Sequence, residues 1–330
     1  MRHQNLDPEL TAAVNLVPPV NFVDVELSRR LADEYSETKI PEDVLQQVDI
    51  QHVVLHPGVE GFLYRPRRML TTKPSLPALL WMHGGGFVTG RPEHAGPFAV
   101  GLALELSIAV FVIHYRLAPE HPFPAGLDDS YAGYRSLVET AEQFNIDSSG
   151  IVVGGQSAGA ALAAGLCLRL RDEGFSAAPI FQYLDIPVLD NRLITPSAKE
   201  FVDSPGWNAV NARLSWNHYL TDPADYLTTS PKYAAPAREE DLGGLPPAYI
   251  SVAEVDPLRD EGIEYALRLL RAGVSTELHC FPGTFHGSTA VRSARVSRRS
   301  YLEVVDVLRG VYAHHQPHRS DALNHDLSST

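Results

Sequence analysis

A serine with glycine two residues to either side, Gly155-Gln156-Ser157-Ala158-Gly159, follows the apolar run Ile151-Val152-Val153 and opens the small-residue stretch Ala158 to Gly165. A serine at a sharp strand-to-helix turn sits on strained backbone that lifts its hydroxyl clear of a sheet. Side chains two residues away would collide in such a turn, so Gly155 and Gly159 are required there. The small residues that follow let a helix pack close to the strand, and its N-terminus brings positive dipole character to the hydroxyl. Read as a phosphate loop, Gly154–Gly159 has the right glycine spacing, but Ala160 stands where a lysine is needed. The chemistry these residues suit is nucleophilic attack by Ser157.

A second glycine cluster, His83-Gly84-Gly85-Gly86-Phe87, ends the apolar run Ala78–Met82. Glycines after a buried strand let backbone N–H groups face a cavity, and two of them with the N–H after the serine can hold an oxyanion. Ser157 also needs a base and an acid to orient it. Asp256, in Glu254-Val255-Asp256-Pro257, follows the apolar run Ala248–Ala253, and His286 follows Thr276–Phe281. Both fall at carboxyl ends of strands, where open α/β sheets carry their sites. The order Ser157, Asp256, His286 is that of an α/β-hydrolase. Asp260 and Glu254 are rival acids; Asp256 is preferred over Asp260 because it lies closer to the strand end.

The remaining histidines read as supporting groups. His83 is expected to order its loop through a backbone hydrogen bond, and His114, His121 and His218 to be structural or at the surface. No H-E-x-x-H and no C-x-x-C occurs, so no metal site is expected. The run Arg292–Arg299 reads as a solvated basic helix face.

The elements that must position these groups alternate from about residue 50. Strands are predicted at Gln51–His56, Gly61–Tyr64, Pro77–Met82, Ile108–His114, Ile151–Gly154, Ile180–Leu184, Ala248–Ala253 and Thr276–Phe281. Helices are predicted at Gly96–Leu106, Asp128–Gln143, Ala158–Asp172, Glu261–Arg271 and Arg298–Tyr312. Near-continuous apolar runs suit parallel strands buried on both faces, and the alternation predicts an α/β domain with a mostly parallel central sheet. Residues 1–49 show helical patches at Ser28–Tyr35 and Glu42–Gln47. Residues 191–236 form an insertion carrying Phe201, Trp207, Trp216, Tyr219 and Tyr226, of a length that reads as a lid or as a stabilising elaboration. The expected organisation is therefore an N-terminal cap segment over 1–49, a core over 50–190 and 237–313, a cap insertion over 191–236 and a disordered tail over 314–330. The four histidines of that tail read as solvated.

Composition narrows the function classes. The 330 residues include 27 Lys and Arg against 40 Asp and Glu, a formal charge of −13. So acidic a chain is a poor partner for nucleic acid or for an anionic membrane surface. The apolar stretch Ala99 to Ile113 is interrupted by Glu105 and is too short to span a bilayer. The N-terminus shows no secretory leader, and Cys167 and Cys280 form no disulfide framework. Both thiols are expected to be free and buried, in a cytoplasmic protein.

Together His83-Gly84-Gly85-Gly86, Tyr115-Arg116-Leu117-Ala118-Pro119-Glu120, Phe123-Pro124-Ala125, Gly155–Gly159, Asp256–Glu261 and Phe285-His286-Gly287 resemble the hormone-sensitive lipase family of carboxylesterases, over about residues 50 to 312. The resemblance implies an α/β-hydrolase fold with a helical cap, Ser157 as nucleophile, His286 as base and then acid, and Asp256 orienting His286. It also implies an oxyanion hole of the Gly84, Gly85 and Ala158 N–H groups, and a homodimer through the last strand and helix. The family usually has aspartate before the serine; Gln156 stands there instead, removing any ion pair that aspartate makes.

The expected activity is hydrolysis of carboxylic esters through an acyl-enzyme, with a small-molecule ester as partner and no cofactor. The aromatic residues Phe87, Phe201, Trp207 and Trp216 suggest an enclosed pocket for short or compact groups. Lactone or activated-amide hydrolysis could use the same apparatus, and a ligand receptor on a hydrolase scaffold is the reading from another class. Receptors of that kind lack the histidine that His286 supplies. Because His286 must be neutral to act as a base, activity is expected to fall below roughly pH 6–7.

Overall fold

A computed structural model describes residues 5–14, 21–35, 40–70, 75–221 and 228–315. The tail from 316 onward and Tyr226 lie outside these residues. Eight strands form one sheet: β1 (Val48–His56), β2 (Val59–Pro66), β3 (Leu76–Met82), β4 (Ala109–His114), β5 (Ile146–Gln156), β6 (Phe181–Asp185), β7 (Ala248–Val255) and β8 (Thr276–Phe285). Their order is β1-β2-β4-β3-β5-β6-β7-β8. The β1–β2 and β2–β4 pairs are antiparallel, and every pair from β4 to β8 is parallel. This is the mostly parallel sheet expected of an α/β-hydrolase.

The parallel strands are apolar in consecutive residues because both faces are covered. On β3, Leu80 and Met82 enter one core layer while Leu79 and Trp81 enter the other. The first layer includes residues of α5 (Ala125–Glu139), α6 (Ala158–Asp172) and α9 (Arg259–Arg271). The second lies under α4 (Gly96–Leu106) and α10 (Arg295–His314). Each fully buried leucine or valine contributes about 1.5–3 kcal/mol relative to an exposed one, so this two-sided packing drives the sheet together.

Outside the alternation lie α1 (Pro8–Ala13), α2 (Val25–Tyr35) and α3 (Glu42–Leu45) before the sheet, and α7 (Pro196–Glu200) and α8 (Ala209–Tyr219) between β6 and β7. The N-terminal segment and the insertion touch: the Phe22 and Trp207 rings meet edge to face at 5.5 Å, and His218 Nε2 lies 2.8 Å from the Phe22 carbonyl. Arg29 of α2 donates to the carbonyls of Val88 and Ala118 and forks onto both oxygens of Glu120 at 2.8 and 2.7 Å. The guanidinium hydrogen bond holds the Glu120 carboxyl down at about 2.

Several elements depart from the sequence reading. The helix expected over Asp128–Gln143 runs Ala125–Glu139 and gives way to a short 3-10 turn. The last strand reaches Phe285 instead of Phe281, because Gly283, at φ +69, lets it bend while its N–H donates to Glu254 at 2.7 Å. Cys280 is exposed, not buried, since β8 is the edge of the sheet and no residue in its first half is fully covered. His315 is not a solvated tail residue: its Nε2 lies 3.2 Å from both Ser149 Oγ and Asp147 Oδ2. Cys167 is buried, and burial pushes its thiol up to about 12.

A close main-chain approach lies between α6 and the strands beneath it. A Cβ on Gly159 would run into the Met82 and His83 carbonyls, and one on Gly155 into the Gly159 backbone. Neither neighbour can yield, as both are main chain. Gly159→Ala is expected to destabilise the fold by about 3 kcal/mol, the upper range for overpacking, read as the shift in its urea unfolding midpoint. A variant with the midpoint of the parent would refute this account of the contact.

Candidate active site

Four parallel strands deliver the candidate groups to the carboxyl-end side of the sheet. His83 directly follows β3, Ser157 follows β5, Asp256 follows β7 and His286 follows β8. Ser157 has φ +57 and ψ −117 at the N-terminus of α6, a conformation costing roughly 1–3 kcal/mol. It is held there by its N–H, which donates to the Asp185 carbonyl at 2.8 Å, and by its carbonyl, which accepts from Ala160 and Ala161. Its hydroxyl lies 2.9 Å from His286 Nε2, and His286 Nδ1 lies 2.6 Å from Asp256 Oδ2. The carboxylate opposite Nδ1 assigns the proton to that nitrogen, which leaves Nε2 free to accept from the serine hydroxyl. Asp256 is 1% exposed, and its other oxygen accepts from the Leu258 N–H at 2.9 Å.

The rival acids have other work. Asp260 accepts from the Ser197 N–H at 2.7 Å and so ties the start of α7 to α9, while Glu254 holds the bend of β8.

Gly84 lies against Ser157: a Cβ there would be 3.6 Å from Ser157 Cβ. Gly85 has φ +125 and no room for a side chain beside Thr89. At Gly86, φ +59, a Cβ would strike Phe22 and Trp207. His83 orders this loop as expected, with Nδ1 2.8 Å from the Gly84 carbonyl and its ring stacked on Tyr115 at 4.3 Å. Burial holds it neutral, its pKa pushed down to about 3. In that state Nδ1 is the donor, and the imidazole adds no charge beside the glycines.

The aromatic candidates separate. The Trp207 ring lies 5.5 Å from that of His286. Phe87 stacks on Tyr219 at 3.9 Å and packs against Trp216 at 5.5 Å. Phe201 instead joins Leu6, Leu10, Phe281 and Phe285 in a separate cluster, with Arg259 over its ring. Two residues at the site escaped the sequence reading. Phe22 stands alone in a segment without periodicity, and Asp185 looks like the end of an apolar strand. Among the described residues, one group could hold a cation, Glu277, His279 and Glu303 on β8 and α10; it includes none of the groups around Ser157.

A strained serine facing a histidine–carboxylate pair under a glycine loop, on a parallel sheet of this order, defines a hydrolase built for attack at a carbonyl. The alpha/beta hydrolase fold family model matches residues 79–290, and the chain belongs to that family, in its hormone-sensitive lipase branch. It is 35% identical to Carboxylesterase NlhH of Mycobacterium tuberculosis, over 86% of this chain and 88% of the relative. It is also 35% identical to Ethyl acetate hydrolase of Pseudomonas putida, over 86% of this chain and 91% of that one. Among solved structures, a bacterial heroin esterase superposes with a TM-score of 0.87 at 45% identity, covering 94% of this chain and 99% of the other. Esterase LipW of Mycobacterium marinum superposes at 0.83 and 32% identity, covering 94% and 97%.

Asp256→Asn keeps the shape of the carboxylate but presents an amide to His286 Nδ1, favouring the wrong tautomer. Its kcat on a soluble ester is expected to drop by roughly 10⁴-fold with the thermal unfolding midpoint little changed. A loss under tenfold would transfer the orienting role to another acid.

Proposed function

We propose that this carboxylic ester hydrolase cleaves esters of short or compact groups through an acyl-enzyme formed on Ser157. The observation that carries the reading is the unbroken line Ser157 Oγ, His286 Nε2, His286 Nδ1, Asp256 Oδ2, with spacings of 2.9 and 2.6 Å. His286 takes the hydroxyl proton as Oγ attacks the ester carbonyl, and Asp256 steadies the imidazolium that results. The Gly84, Gly85 and Ala158 N–H groups hold the oxyanion. The alcohol leaves with the proton from His286, then water activated by the same histidine releases the acid. No step calls for a cofactor.

The restriction to compact groups rests on the enclosure. Phe22 and Trp207 close over Gly86, and the N-terminal segment and the 191–236 insertion act together as a cap. Names of similar proteins point the same way, one acting on ethyl acetate and one on heroin. We further place the enzyme in the cytoplasm, a setting supported by its two free thiols, and read it as a homodimer through β8, an edge strand paired on one side only. Among the described residues, no helix is long and apolar enough to cross a membrane.

The test is hydrolysis of p-nitrophenyl esters from acetate to palmitate by the parent and by Ser157→Ala. The parent is expected to peak at short chains. The variant should retain less than about 10⁻³ of the parent kcat, as in serine hydrolases generally. Equal turnover of palmitate and acetate would remove the compact-substrate reading, and an active Ser157→Ala the mechanism.

A further inference from the structure

The residue before the nucleophile is a structural part of the site. Gln156 Nε2 donates to Asp185 Oδ2 at 2.8 Å, and the next N–H along the chain, that of Ser157, donates to the Asp185 carbonyl at 2.8 Å. Asp185 is thus gripped at two points by consecutive residues of the elbow. Its other carboxylate oxygen accepts from Ser251 Oγ at 2.5 Å. Facing Gly84, the Gln156 carbonyl and Oε1 lie 3.3 and 3.5 Å from where a Cβ would stand. Through main chain and side chain together, Gln156 links Ser157, the strand beside it and the glycine loop at Gly84.

The charges around this brace explain why it is an amide. Asp185 is 7% exposed and lies within electrostatic reach of His286 and Asp256. Tyr183 and Tyr249, also near it, are held neutral by burial. Burial raises the Asp185 carboxyl, and the hydrogen bonds from Ser251 and Gln156 oppose that rise. A carboxyl at 156 would face the Asp185 carboxyl at hydrogen-bond distance. The two could then share one proton but could not both ionise without repulsion.

We propose that Gln156 is a positioning residue for ester hydrolysis: its neutral amide, bound to Asp185, keeps Ser157 and the glycine loop in register at every working pH. The proposal rests on Ser157 being the nucleophile, and the test separates the two ideas. Steady-state hydrolysis of p-nitrophenyl acetate is measured from pH 5 to 9.5 for the parent, Gln156→Glu and Gln156→Glu/Asp185→Asn, with Ser157→Ala as control. The parent is expected to reach a plateau with no descending limb at high pH. Gln156→Glu should match it at low pH, where the pair shares a proton, and then fall by roughly tenfold in kcat as the second carboxyl ionises, with KM within about twofold of the parent. The double variant, with the carboxylate and amide exchanged, should recover the plateau.

A Gln156→Glu profile parallel to the parent overturns the proposal and leaves the serine mechanism intact, as does a double variant that keeps the descending limb. Activity in the parent that survives Ser157→Ala overturns both. If Gln156→Glu does not fold, the proposal stands only if Gln156→Met, which keeps the length and loses the donor, lowers kcat at unchanged KM.

Discussion

Everything at this site depends on one strained residue. Ser157 occupies φ +57 where the backbone turns from β5 into α6, and a non-glycine residue remains there only where its surroundings over-determine it. The surroundings are main chain. Gly159 lets α6 approach the Met82 and His83 carbonyls, Gly155 lets the turn close on itself, and Asp185 accepts the Ser157 N–H from the neighbouring strand. The same contact that permits the turn sets the distance between Ser157 and the glycine loop, since His83 begins that loop. Helix packing and the placement of the loop beside Ser157 are therefore one constraint.

Around this point the protein buries several ionisable groups and gives them hydrogen-bond partners. Asp256 spends its two oxygens on His286 and Leu258; Asp185 spends its own on Ser251 and Gln156. Glu261, 1% exposed, accepts from the Leu189 N–H at 2.6 Å and is pushed well above the ordinary carboxyl range by burial. An unpaired buried charge costs several kcal/mol, so each acid here either has donors or is driven toward its neutral form. His83 follows the same rule with opposite sign: burial strips its charge and leaves a neutral donor for the Gly84 carbonyl.

Much of this was legible in the amino-acid sequence for a local reason. The sheet strands are apolar runs punctuated by glycine and proline, and α4 and α6 begin and end where their composition says. Ser157, Asp256 and His286 each follow a strand directly, so reading the strands located the residues that the fold brings together. What escaped depends on distant partners. Phe22 has no periodic neighbours, yet it packs on Trp207 of the insertion. Cys280 sits among residues that read as core, and only the sheet order, which puts β8 at the edge, exposes it. Asp185 reads as a strand terminus, and its role emerges only from the pairing of β6 with β5.

The contacts of the N-terminal segment have a consequence for how the molecule is made. Asp7 donates its N–H to the Gly283 carbonyl, Arg29 binds Val88, Ala118 and Glu120, and Phe22 rests against Trp207, Asn211 and His218. On the ribosome the chain emerges N-terminus first at ~5–20 residues per second. Asp7, Phe22 and Arg29 thus leave the exit tunnel before the surfaces they cover exist. Arg29 can dock once Glu120 is made and Phe22 once His218 is, but the Asp7 N–H has no partner until β8 has been synthesised. Closure over Ser157 is a late event in biogenesis, made by a segment synthesised before the sheet it covers.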